Sequence, residues 1–182
     1  MKATGIVRRI DDLGRIVIPK EIRKTLKIKE GDPLEIYVQT NEVMLKRYSP
    51  INSITDSVIL VAKSLFKETN YSVVILDNEC VVAAEGDAKA FLNDTLSKEG
   101  AKVFQEGKSF SISEVDNLKP IKLFSSDDGR FKSQLILPVT DKDGETLAVI
   151  CLLDTDGKTK FGATEIRLLK LAGEFIKSKV LS

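Results

Sequence analysis

The residues with chemistry to offer are cations. Between Lys2 and Lys29 the chain carries nine Lys or Arg against three acids, interleaved with short apolar runs and punctuated by Gly14 and Pro19. Guanidinium and ammonium groups at that density on a folded surface attract a polyanion, and nucleic acid is the natural one. Other familiar chemistries are closed. The chain has no His, which excludes Ser–His–Asp triads, Cys–His dyads and ordinary zinc sites. Cys80 and Cys151 stand far apart inside apolar, strand-like runs and read as buried thiols. No nucleophile–base pair, glycine-rich phosphate loop or metal-ligand spacing occurs. No catalytic residue, cofactor or metal is therefore expected, and the chain is not expected to be an enzyme.

The charge is unevenly divided. Net charge is +1 over 182 residues, but residues 1–50 hold eleven Lys/Arg and seven Asp/Glu while residues 51–182 hold seventeen and twenty. That asymmetry assigns nucleic-acid binding to the front alone. No apolar run is long enough to cross a bilayer, and the N-terminus has no apolar signal region. A cytoplasmic protein, associated with DNA and not with a membrane, is expected.

The elements that must hold the cations follow from pattern. Thr4 to Ile10 reads as a strand in which Arg8 shares the parity of Ile6 and Ile10, which suits an edge. Asp11-Asp12-Leu13-Gly14 is turn chemistry, and Arg15 to Ile18 is a second strand. Pro19 suits the first position of a helix running to about Leu26, with Lys20, Lys24 and Lys27 on one stripe and Arg23 beside it. Gly31-Asp32-Pro33 breaks the chain. Strands Leu34 to Val38 and Glu42 to Arg47 follow, joined by Gln39-Thr40-Asn41. This β-β-α-β-β unit of about fifty residues buries too little surface to stand alone and has no disulfide or metal to help it. A second copy is expected to complete its core.

The stretch TGIVRRIDDLGRIVIPKEIRKTL, then GDPLEIYV and a strand ending KRYSP, is similar to the AbrB-type swapped-hairpin DNA-binding domain over Lys2 to Pro50. The resemblance implies an N-terminal swapped-hairpin β-barrel, mostly β with a short helix, in which two chains interleave their hairpins. It also implies that Arg8, Arg15 and Arg23 contact double-stranded DNA. Lys24 stands where the family often has Arg; lacking a planar fork, it suits phosphate better than guanine. Arg9 is a further candidate. Asn and Gln are absent before Gln39, so recognition is expected to lean on groove shape, with degenerate targets. The same fold serves antitoxins, which leaves an alternative: an antitoxin-type protein whose C-terminal domain binds a protein partner.

Behind Pro50 the pattern changes. Ile51, Ile54, Val58, Val61 and Leu65 are spaced three, four, three and four, a short coiled-coil seam, with Ile59, Ala62 and Phe66 beside it. A helix apolar on two flanks can pack on its own domain and on another chain. Strands are expected at Tyr71–Leu76, Cys80–Ala84, Ser133–Val139 and Glu145–Asp154, with weaker ones at Phe110–Ile112 and Lys122–Phe124. Helices are expected at Ala88–Lys98, stopped by Gly100, and at Thr164–Val180. The sum is an α+β domain with its helices on one side of a sheet. Leu137-Pro138-Val139, Gly144, Leu147 to Leu153, Phe161 and the Leu168-Leu171-Ala172 helix resemble a GAF domain over about residues 55–181. GAF domains are small-molecule sensors and dimerisation modules, so an unidentified small-molecule ligand is a possible partner. The cyclic-nucleotide signature departs at Ile166, where Phe161 and Glu165 call for a second acid. Any pocket would lie between the sheet and residues 100–130, where Phe104, Phe110, Phe124 and Phe131 read as core more readily than as ligand contacts; Arg130 and Lys132 are the cations there for an anion, and a polar loop with no ligand is the alternative.

The expected organisation is thus an AbrB-like domain over 1–50, a connecting helix over 51–68 and a GAF-like regulatory and oligomerisation domain over 69–182. The pair of domains resembles the sporulation regulators of spore-forming Firmicutes. That implies a transcription factor, both repressor and activator, assembled as a homotetramer.

Overall fold

A computed structural model of the chain describes residues 5–26, 28–113 and 116–181. The parts expected of Lys2, Thr4 and Lys27 lie outside the described residues. The chain divides into two compact units, Met1–Tyr48 and Ser49–Ser182.

In the first unit, residues 5–10 and 15–18 lie in no strand. Both runs were expected as strands, but a strand needs a neighbour, and among the described residues of this unit the sheet pairs β1 (Leu34–Gln39) with β2 (Glu42–Arg47) alone. The hairpin runs through Thr40-Asn41, setting Val38 opposite Val43 and Ile36 opposite Leu45. Ahead of the hairpin in the chain comes α1 (Lys20–Thr25), which Pro19 precedes instead of opening. Arg23 and Lys24 fall in its last turn, where the helix end favours positive charge.

The second unit is a five-stranded antiparallel sheet in the order β4-β3-β7-β6-β5. Its strands are β3 (Ser72–Leu76), β4 (Val81–Glu85), β5 (Phe110–Ile112), β6 (Ser133–Thr140) and β7 (Thr146–Asp154). Ile150 of β7 sits opposite Ile75 of β3 and Leu137 of β6. Successive side chains alternate between faces, and both faces are covered. Val73, Ile75, Ala148, Ile150 and Leu152 meet α2 (Thr55–Thr69) and α4 (Ala163–Val180). Val74, Leu76, Val149, Cys151 and Leu153 meet Phe91, Val103, Leu123, Phe124 and Phe131. Double covering is why β3 and β7 are near-continuous apolar runs. It also corrects the expectation of helices on one side, since α3 (Lys98–Glu106) lies over the second face through Val103.

Three further expectations change. Ala88–Lys98 is not a helix: a 3₁₀ turn spans Gly86–Phe91, and Thr95 and Leu96 then run as bridges to Cys80 and Phe124. Lys122–Phe124 contributes only that last bridge and no strand. Ile51 lies in a 3₁₀ turn (Pro50–Ile54) ahead of α2, so the helical part of the seam starts later than its spacing suggests.

Gly100 does not stop a helix; it sits within the first turn of α3, buried. A Cβ there would lie 1.9 Å from the Leu123 carbonyl oxygen. Ser97 caps this helix, its hydroxyl accepting from the Gly100 amide at 2.9 Å, and Gly107 at φ 61° closes it.

Candidate nucleic-acid interface

The cationic residues are placed by a turn and a helix. Asp11 organises the turn. Its carboxylate accepts from the Leu13 amide at 3.1 Å and the Arg15 amide at 2.7 Å through Oδ1, while Oδ2 accepts from Arg15 Nε at 2.8 Å. The backbone closes the same loop, Asp11 N–H donating to Arg15 O at 3.0 Å and Gly14 N–H to Asp11 O at 3.0 Å. Gly14 takes φ 76°, which a side chain would resist. Hydrogen bonds from the Arg15 amide and guanidinium, in that order, hold the Asp11 carboxyl below the usual carboxylate range.

Arg8 and Arg9 lie on the extended run entering this turn, and Arg15 lies on the run leaving it. Arg23 and Lys24 are consecutive in the last turn of α1. All five candidate side chains are exposed. Arg15 alone of the five is bound to an acid among the described residues, and its side chain is still 70% exposed. Arg8 donates to the Val7 carbonyl at 3.2 Å. The arrangement is a turn-held guanidinium, a helix-end pair and two flexible-stemmed cations, suited to phosphates and groove edges. Asp11 was read from sequence only as a turn former. Its spacing four residues before Arg15 is the signal that it also meets the guanidinium.

Among the described residues of the first unit, none belongs to the buried hydrophobic core. Val7, Ile10, Val17, Ile36, Val38 and Val43 are all well exposed, and of the unit's described residues only Pro19 is buried. Such a surface is far more apolar than a stable free domain shows.

In the second unit, α2 buries Val58, Ala62 and Leu65 but leaves Leu60 63% exposed; α4 leaves Leu171 71% exposed. These lie with Val61, Leu168 and Phe175 along a groove of about 490 Å³. On the opposite face Phe124 and Phe131 are core residues, their rings 4.4 and 6.1 Å from that of Phe91. Phe104 and Phe110 pack half-buried against the same cluster. These four aromatic residues thus serve as core, the reading their type favours. Arg130 lies 5.3 Å from the Phe91 ring centroid and is tied to Asp128 at 2.6 Å. Burial pushes the Cys151 thiol far up and, with Asp77 and Glu79 nearby, the Cys80 thiol up to about 11. Neither is a thiolate at neutral pH.

Among the described residues no group of acids and cysteines is placed to hold a metal, and no helix is long and apolar enough to cross a membrane.

Comparison with known proteins agrees with this division. Residues 56–180 match the family described as stage V sporulation protein T C-terminal, transcription factor. Residues 7–53 match antidote-toxin recognition MazE, bacterial antitoxin. The chain is 38% identical over 178 residues to stage V sporulation protein T of Bacillus subtilis (strain 168), spanning 97% of each chain. Over 50 residues it is 60% identical to the transition state regulatory protein AbrB of the same organism, spanning 28% of this chain and 52% of AbrB. Among solved structures, the GAF domain of an Acinetobacter phosphoenolpyruvate-protein phosphotransferase is similar with a TM-score of 0.56 at 14% identity, covering 75% of this chain and 84% of that one. At that identity the likeness shows the fold alone. An AbrB-like front and a GAF-like rear are both borne out, and a match running almost end to end shows that the chain belongs to the stage V sporulation protein T family of transcription factors.

Proposed function

We propose that the first unit acts as an interleaved pair that binds duplex DNA through Arg8, Arg9, Arg15, Arg23 and Lys24. The exposure of Ile36, Val38 and Val43 on one face of its hairpin, with no apolar side chain but that of Pro19 buried among the unit's described residues, carries this reading. Val38 opposite Val43, and Ile36 beside the half-buried Leu45, form a patch that one chain leaves largely in water and a second copy would cover. Pairing the chains brings two sets of cations to one duplex. Their contacts are to phosphate and groove shape more than to individual bases, so targets are degenerate. The domain limits that fit this division of labour are 1–50 for DNA binding, 51–68 for the connecting helix and 69–182 for regulation and assembly.

The groove between α2 and α4 supports a second association, of rear units with one another, giving a homotetramer. Two front pairs held on one duplex would gain ~10²- to 10⁴-fold in avidity with no new type of contact. A small-molecule effector of the rear would act only through different affinities for two arrangements; its candidate place is the loop-rich face carrying Arg130. The protein works without catalysis, in the cytoplasm and on DNA, and represses or activates according to promoter geometry. The end-to-end likeness to a sporulation protein favours this reading over an antitoxin.

The test is Val38→Asp. Val38 is 77% exposed in one chain, so a surface role predicts a change within about 0.5 kcal/mol. Burial against a second copy predicts a cost of about 3 kcal/mol or more, because a carboxylate would be desolvated unpaired. DNA affinity should then fall at least ~100-fold while the far-ultraviolet signal of the rear sheet persists. Undiminished binding by this variant contradicts the interleaved pair.

A further inference from the structure

An acid on a surface that meets DNA repels phosphate, and Asp11 stands in the middle of the candidate interface. Its carboxylate is nonetheless held by the Leu13 amide at 3.1 Å, the Arg15 amide at 2.7 Å and Arg15 Nε at 2.8 Å. The pair is exposed on both sides, 70% for Arg15 and 39% for Asp11, and exposed pairs add little to stability. Its value lies elsewhere, in where the guanidinium points.

We propose that Asp11 is a specificity-determining positioning residue: it fixes Arg15 by Nε so that the terminal Nη1 and Nη2 pair faces outward, toward a base edge. A planar guanidinium offers its donors in a rigid fork. With Nε occupied, the two terminal nitrogens are left to meet the paired acceptors N7 and O6 of guanine in the major groove. Asp11 also offsets part of the arginine's charge, which weakens its attraction to phosphates of any sequence. The two effects act in one direction: they exchange sequence-independent affinity for discrimination. The hydrogen bonds from Arg15 favour the ionised form of Asp11, so the carboxylate stays charged at neutral pH, as the device requires. The backbone bonds to Oδ1 anchor the acid independently of the guanidinium, so the arginine is oriented by a group that is itself fixed.

This inference rests on the reading that Arg15 meets the duplex, and the experiment separates the two. The full-length chain, Asp11→Asn, Asp11→Ser and Arg15→Gln are titrated against a duplex enriched from a randomised pool by the unaltered chain, and against poly(dI-dC), over a range of salt. Asparagine keeps an oxygen for the Leu13 and Arg15 amides, and serine keeps a turn-forming hydroxyl; both lose the charge. The expected result for each is tighter binding to poly(dI-dC) by ~3- to 10-fold and a steeper salt dependence, by about one phosphate contact per chain. The ratio of enriched to non-specific affinity should fall by ~10-fold or more, with an unchanged unfolding midpoint. Equal tightening on both duplexes, leaving the ratio intact, would show an acid that merely repels phosphate and would overturn the proposal. Parallel loss on both duplexes with a lowered midpoint would show a purely structural turn and would also overturn it. If Arg15→Gln weakens binding while Asp11→Asn leaves the ratio alone, the positioning role fails and the DNA-contact reading stands. If Arg15→Gln changes nothing, both fail.

Discussion

Replacing Arg15 and Arg23 together by alanine is expected to lower the affinity of the full chain for duplex DNA by at least ~10²- to 10³-fold, with the fold intact. An arginine that meets a base edge is worth about 1 to 3 kcal/mol, and each occurs twice in an interleaved pair. Both side chains are exposed, so their loss should move stability by no more than about 0.5 kcal/mol. The salt dependence tells the two kinds of contact apart. Loss of an arginine that neutralises phosphate flattens the plot of log affinity against log salt by about 0.9 per contact. Arginines that read bases change sequence preference instead. Arg8 and Lys24 should have smaller effects singly, and Lys24, limited to a point charge, should act on the salt slope alone. Fluorescence anisotropy at several salt concentrations measures all of this.

Gly100→Ala is expected to destabilise the second unit by about 3 kcal/mol or more, which corresponds to a fall in Tm of about 6 to 12 °C. Two effects oppose each other at this position. In a helix, alanine is better than glycine by about 1 kcal/mol, and a free site would gain that amount. Here the new Cβ would lie 1.9 Å from the Leu123 carbonyl oxygen and 2.8 Å from its carbon. Backbone cannot swing aside as a flexible side-chain end can. That carbonyl also accepts from the Ser97 amide at 3.1 Å, and the Ser97 hydroxyl donates to the Lys122 carbonyl at 2.5 Å. Displacing it therefore breaks the bond that seats α3 against residues 122–124. The clash wins, and calorimetry reads the sign. Gly129→Ala is the control: no atom lies within 4 Å of its Cβ, so only the φ of 77° resists, at about 1 kcal/mol.

What could be read from the sequence was what has a strong local period or a strong local punctuation. The hairpin of β1 and β2, the strands β6 and β7 and the helix α4 lie within a few residues of their expected bounds, because alternation and capping signals are local. The stretch 88–98 misled because Ala88, Phe91, Leu92 and Leu96 fall at helical spacings. The bonds that decide its course are remote: Val81 N–H donates to Asp94 O, Asn93 N–H to Val81 O and Leu96 N–H to Glu79 O. Gly100 misled for a related reason. A glycine after an apolar period looks like a helix stop, and only the approach of Leu123 from twenty-odd residues away reveals that it is a point of close packing. Phe124 and Phe131 read as core from their type, but nothing local says that the Phe91 ring is their partner.

The candidate interface divides in the same way. Its cations were legible because their density is a property of one short stretch, and the family resemblance singled out Arg8, Arg15 and Arg23. The hydrogen bonds that aim Arg15 were not, although Asp11 is only four residues away. The turn chemistry accounted for the acid so completely that its second oxygen went unassigned.

The central claim is that the front is built to be two chains at once, and that doing so makes its DNA-binding face. The direct measurement is the mass in solution of the full chain and of a fragment ending at Pro50, each with and without duplex DNA. The account predicts four chains for the whole protein, two for the fragment, and DNA bound only by assemblies of two or more. A fragment that folds and binds duplex as a single chain would contradict it.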